Sequence, residues 1–159
     1  MSGTGQQIIT SPGYNSEYAA YLAGDNGGDD SDPSVDMLVA VVPGLTYTYS
    51  FAYFIETSSD SLEFSGMLYG LASGDNPVNF DVYYDNSDST DTNGNAVGAW
   101  YTITFPPFVA VSTSYDVSIY VSTDGANNVV LVDNVQLLAS APGSDSVPTG
   151  PATTTVTFT

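Results

Sequence analysis

The chain has 159 residues, 18 acidic side chains and no lysine, arginine, histidine or cysteine, which gives a formal net charge of −18. This composition excludes Ser-His-Asp and Cys-His catalysis, phosphoryl transfer built on Lys or Arg, nucleic-acid binding through phosphate contacts and zinc held by nitrogen or sulfur. It leaves ring stacking, hydrogen bonds from amides and hydroxyls, and carboxylates that bind hard cations or do acid-base work.

Apolar residues make up 42% of the chain and charged residues only 11%, so a folded domain with a real core is expected rather than an acidic tail. Alternation dominates the pattern and helical periodicity is nearly absent. In chain order, strands are predicted at 6–10 (QQIIT), 17–23 (EYAAYLA), 35–42 (VDMLVAVV), 46–56 (TYTYSFAYFIE), 62–70 (LEFSGMLYG), 78–84 (VNFDVYY), 99–105 (AWYTITF), 115–122 (YDVSIYVS) and 128–138 (NVVLVDNVQLL). Turn-forming segments such as GDNGGDDSDP, SGDNP and DNSDSTDTNGN separate them. Short strands at this spacing predict an all-β antiparallel sandwich or barrel, over residues 1–139. Residues 140–159 read as a Pro/Ser/Thr-rich linker whose end, TTTVTFT, alternates again and is a candidate strand. The polar start MSGTGQQ shows no signal-peptide core, and no segment has the apolar length of a membrane span.

The pieces NSEYAAYLAG, PGLTYTYSFAYFI, AWYTITFPPFVAVSTSYDVSIYVS and VVLVDNVQLL occur in that order. Together they resemble the CenC-like carbohydrate-binding modules, in particular those of fungal secreted and cell-wall proteins. The resemblance implies a jelly-roll β-sandwich, a polysaccharide or cell-wall glycan as partner, and an extracellular setting. It also implies a structural Ca2+ between the opening segment and the Asp of the closing strand, Asp133 here. The family's opening strand of "NPGFE" type is missing from this reading, so one sheet edge is expected to be open.

Alternation assigns the side chains to faces. Tyr47, Tyr49, Phe51, Tyr53 and Ile55 share one phase and are assigned to the core, as are Tyr101, Ile103 and Phe105. The opposite phase leaves Tyr21, Phe54, Tyr83 and Trp100 outward, with Asn79, Asp81 and Thr102 beside them. Sugar rings stack their C–H faces on aromatic side chains while amides, carboxylates and hydroxyls take the sugar hydroxyls, so these seven residues are the candidate carbohydrate-binding set. The competing reading is a second small apolar core under a loop.

Asp133 falls in phase with Leu131, Val135 and Leu137, which directs a carboxylate to the core with no cation to pair it. It must accept hydrogen bonds, bind a cation or stay protonated. Further oxygen ligands for Ca2+ are offered by Asp25, Asp29, Asp30 and Asp32 in one loop, and by Asp85, Asp88, Asp91, Asn93 and Asn95 in another. The favoured reading of both loops is solvated Asx turns. Glu17, Glu56 and Glu63 are the only glutamates, and no signature pairs one with a second acid, so an enzyme is not expected. The alternative to a glycan-binding module is a self-associating structural or adhesive surface protein, a homo-oligomer joined through the open sheet edge and the C-terminal tail.

Overall fold

A computed structural model describes residues 6–9, 13–14, 19–23, 33–57, 62–84, 94–123, 129–140 and 153–155. The runs rich in Val, Tyr, Phe, Ile and Thr form strands, in order β1 (Gln6–Ile9), β2 (Ala19–Ala23), β3 (Ser34–Ala40), β4 (Thr46–Thr57), β5 (Leu62–Gly70), β6 (Val78–Tyr84), β7 (Trp100–Thr104), β8 (Phe108–Val109), β9 (Ser114–Thr123), β10 (Val129–Ser140) and β11 (Thr153–Thr155). All pair antiparallel in two sheets. A seven-stranded sheet runs β1-β2-β10-β4-β7, with β11 also on β10 and β8 also on β4; a four-stranded sheet runs β3-β9-β5-β6. The fold is a jelly-roll β-sandwich, one of the two architectures the strand pattern allows and the one the resemblance implies. The sheet edge expected to be open is covered. β1 lies along β2, while β11 pairs with Gln136–Leu138 of β10, beyond the Val129–Val132 segment that β2 occupies.

The inward phase of β4 supplies Tyr49, Phe51 and Tyr53, all fully buried. Phe105 packs on Tyr49 at 5.3 Å between ring centroids and on Phe80 at the same distance, and Phe64 reaches Tyr53 at 4.9 Å. These contacts make a chain of stacked, tilted and edge-on rings from one sheet to the other. Gly66 on β5 leaves room for it, since a Cβ there would stand 3.2 Å from Phe51 Cε1.

Tyrosine hydroxyls on strands hold the loops. Tyr47 accepts the Val42 N–H (2.9 Å), Tyr115 the Val111 N–H (3.2 Å), Tyr101 the Ala96 N–H (3.0 Å) and Tyr53 the Asn95 amide (2.6 Å). Tyr49 differs. Among the described residues its hydroxyl has no partner, and burial alone pushes its pKa far above the usual tyrosine value.

The closing strand does not keep one phase. Asn134 has φ +51°, and the β10–β4 register slips between Asp133 and Gln136, which is a β-bulge. Val130, Val132, Val135 and Leu137 therefore all face the main core, while Leu131 belongs to a separate apolar cluster. The phase expected for Asp133 is corrected accordingly: it stays with Leu131 and leaves Val135 and Leu137, so it points away from the main core.

Tyr49→Phe removes an unpaired buried hydroxyl and keeps the ring, so it should raise unfolding free energy by roughly 1 kcal/mol in urea titrations. Because the folded-state pKa is raised, Tyr49 favours folding below the unfolded tyrosine pKa of about 10, and this is lost as pH climbs beyond it. The wild type should lose stability above that pH more steeply than Tyr49→Phe. Deleting residues 141–159 strips the partner from Gln136–Leu138 and should lower the thermal midpoint by roughly 2–4 °C for each 1 kcal/mol lost.

Candidate functional site

The seven outward candidates divide between the two sheets, because β2, β4 and β7 lie in one sheet and β6 in the other. On the seven-stranded sheet the register aligns Tyr21, Leu131, Phe54 and Trp100 in one row across β2, β10, β4 and β7. Leu131 is fully buried, Tyr21, Phe54 and Trp100 are half-buried, and the row packs with Ala19 and Val129 as the separate cluster. Residues 13–14 lie over this face. The Tyr14 ring stands 5.8 Å from Trp100, and its N–H donates to Asp133 Oδ2 at 2.8 Å. The next row, Ala52 and Thr102 beside Asp133, has Ala52 fully buried and Thr102 exposed. Tyr21, Phe54 and Trp100 thus realise the second apolar core that the sequence left open.

Asp133 is only 6% exposed, and its Oδ1 also accepts the Asn134 N–H at 2.6 Å. Two backbone donors thus contribute to holding this buried carboxylate. Among the described residues no three acidic side chains gather. Since Ca2+ takes about six to eight oxygens, the described residues do not by themselves fit a calcium site at Asp133. Asp25, Asp29, Asp30, Asp32, Asp85, Asp88, Asp91 and Asn93 lie outside the described residues, while Asn95 is engaged by Tyr53.

The outer face of the four-stranded sheet is built differently. Successive rows across it are Leu38–Asp116–Tyr69, then Asp36–Ser118–Met67–Asn79, then Ser34–Tyr120–Ser65–Asp81. Tyr83 occupies the β6 position opposite Glu63. Leu38 is 67% and Tyr69 39% exposed, and Asn79, Asp81 and Asp116 are exposed. Hydroxyls hold the carboxylates in place: Ser118 donates to Asp36 Oδ1 (2.7 Å), Ser34 to Asp36 Oδ2 (2.5 Å) and Ser65 to Asp81 Oδ1 (2.6 Å). Tyr69 donates to the Met67 sulfur. Partial burial, then the neighbouring Tyr120, Asp116 and Asp36, raise the Tyr69 pKa above its ordinary value. The turn after Tyr69 is fixed by Gly70, whose N–H donates to the Asp75 carbonyl (2.6 Å). A Cβ on Gly70 would lie 2.1 Å from the Asp75 carboxylate, which Ser112 holds with a 2.5 Å hydrogen bond.

Tyr69 and Tyr120 are the residues the sequence reading missed. The signal was present: in LEFSGMLYG and YDVSIYVS, Leu62, Phe64, Leu68, Tyr115, Val117, Ile119 and Val121 take the core phase, which leaves Tyr69 and Tyr120 outward.

Solved structures similar to this chain include several carbohydrate-binding modules. The chain has their fold. A family 61 module in complex with β-1,4-galactotriose superposes with a TM-score of 0.60 at 13% identity, over 87% of this chain and 86% of that one. A family 4 module matches with a TM-score of 0.54 at 16% identity over 85% and 78% of the two chains. The CBM22-1 xylan-binding domain of Xyn10C from Paenibacillus barcinonensis matches with a TM-score of 0.51 at 10% identity, over 87% and 82%. No family model matches the sequence, and no curated protein does. Among the described residues no helix is long and apolar enough to cross a membrane.

Trp100→Ala and Asp133→Ala should each lower unfolding free energy by roughly 1–3 kcal/mol, the first through lost apolar contact and the second by stranding two amides. Tyr14 touches both residues, so the double variant should lose less than the sum of the singles in denaturant titrations.

Proposed function

We propose that the chain is a non-catalytic, extracellular glycan-binding module whose ligand lies across the outer face of the four-stranded sheet. The observation that carries this reading is the pair of outward tyrosines, Tyr69 and Tyr120, on adjacent strands among Asp36, Asn79, Asp81 and Asp116. Their rows are two steps apart along the strands, roughly 13 Å, which is the reach of an oligosaccharide rather than of one sugar. The rings offer faces for sugar C–H groups and the polar side chains fix the hydroxyls. The fold is shared with modules whose structures hold galactotriose or are described as xylan-binding. Asn79, Asp81 and the β6 position of Tyr83 stay in the proposed site; Tyr21, Phe54, Trp100 and Thr102 belong to the other sheet. A hydrolytic role has no support in the described glutamates. Glu56 shares the outward phase of Phe54 on the seven-stranded sheet, and Glu63 shares a row with Tyr83 on the four-stranded sheet, so they cannot flank one glycosidic bond.

Affinity electrophoresis against soluble β-glycans tests the reading. Tyr69→Ala and Tyr120→Ala should each weaken binding by roughly 1–3 kcal/mol, while folded Trp100→Ala should keep its affinity. Absence of binding to any polysaccharide, or undiminished binding in the Tyr69→Ala/Tyr120→Ala double variant, would overturn it.

A further inference from the structure

The polar groups on the four-stranded face are unevenly divided between donors and acceptors. Asp36, Asp81, Asp116 and Glu63 are acceptors on this face. The hydroxyls that could donate outward are turned onto their neighbours. Ser34 and Ser118 donate to Asp36, Ser65 donates to Asp81, and Tyr69 donates to the Met67 sulfur. Asn79 and Tyr120 are the other donors in the rows around the tyrosines, the Glu63 row adds the Tyr83 and Ser122 positions, and the chain has no lysine, arginine or histidine to add one. A ligand that brings hydrogens of its own therefore finds more partners on this surface than one that brings only acceptors.

This sorts sugars by substituent. A uronic acid or sulfate brings only acceptors and a charge of the wrong sign. An acetamide brings a carbonyl that finds few donors. A neutral hydroxyl can donate one hydrogen. A free ammonium donates three and carries the opposite charge, and its hydrogen bonds to carboxylates are of the stronger, charge-assisted kind. The net charge of −18 adds long-range attraction for a polycation and speeds encounter, without choosing a site.

We infer that the glycan bound between Tyr69 and Tyr120 is a polymer of amino sugars with free amines, whose rings stack on the tyrosines and whose ammonium groups are received by Asp36 and Asp116. The inference rests on the glycan-binding reading of this face and narrows it to one chemical class. Neutral chains of the same backbone bind the same lane more weakly.

Calorimetric titration of the full chain with three hexaoses tests it: β-1,4-linked glucosamine, N-acetylglucosamine and glucose. The titrations are run at about pH 5, above the usual carboxylate range of about 4, so that amine and carboxylates are both charged. The glucosamine hexaose should bind roughly tenfold more tightly than the other two, as two exposed ion pairs allow, and rising salt should narrow the gap. Asp36→Asn and Asp116→Asn should each reduce that preference while leaving the glucose hexaose affinity in place. Glu56→Gln removes the same charge from the opposite sheet and should leave the preference intact. Equal affinity for the glucosamine and glucose hexaoses, with binding still lost in Tyr69→Ala, would overturn the amino-sugar assignment and keep the glycan-binding face. A Glu56→Gln effect as large as that of Asp36→Asn would also overturn it, since the preference would then come from net charge. Failure of all three hexaoses to bind would overturn the assignment, and absence of binding to every polysaccharide in affinity electrophoresis would overturn the glycan-binding reading with it.

Discussion

A carboxylate in a chain without lysine, arginine or histidine has no cationic side chain to pair with, and that constraint shapes both faces of this sandwich. Asp133 is held by two backbone N–H groups, Asp36 by two serines, Asp81 by one serine and Asp75 by another. The tyrosine hydroxyls have a structural task as well. Loops that other proteins tie down with ion pairs are tied here by phenols accepting backbone N–H groups. Neutral hydrogen bonds are modest in net energy but costly to break when buried. They also resist salt better than exposed ion pairs.

The two outer faces diverge because of what lies on them. Residues 13–14 lie over part of the seven-stranded sheet, fastened by Asp133 and by the Tyr14–Trp100 contact, and its outward aromatics pack on a second apolar cluster. The strand β10 serves both layers. Val130 and Val132 face the main core and Leu131 the second cluster, and the bulge at Asn134 returns Val135 and Leu137 to the core. The four-stranded sheet carries no such cover among the described residues, and Leu38, Tyr69 and Asn79 remain exposed on it.

Much of the fold was legible in alternation, because a half-buried strand must repeat every two residues. The predicted strand from TYTYSFAYFIE is β4, and its core set Tyr47, Tyr49, Phe51, Tyr53 and Ile55 is buried as expected. The two-residue β8 after Pro106 and Pro107 was too short to leave a pattern. The phase of Asp133 was not legible, since one left-handed residue after it reverses the count. Nor was the division of outward residues between sheets. Alternation gives a side chain's face relative to its own strand, while the partner strand is chosen by contacts far apart in sequence. Phe54 and Asn79 therefore looked alike in the sequence and stand on opposite sides of the molecule.

The chain contains one tryptophan, and it sits in the satellite cluster rather than among the rings of the main core. Its emission is accordingly a local optical reporter of the contact between residue 14 and the back of the seven-stranded sheet. The stacked tyrosines and phenylalanines of the interior give near-ultraviolet dichroism from the other layer. Nature has thus placed separate chromophores on the two sides of β10, so spectroscopy without any label can follow the undocking of the cover and the melting of the core as distinct events.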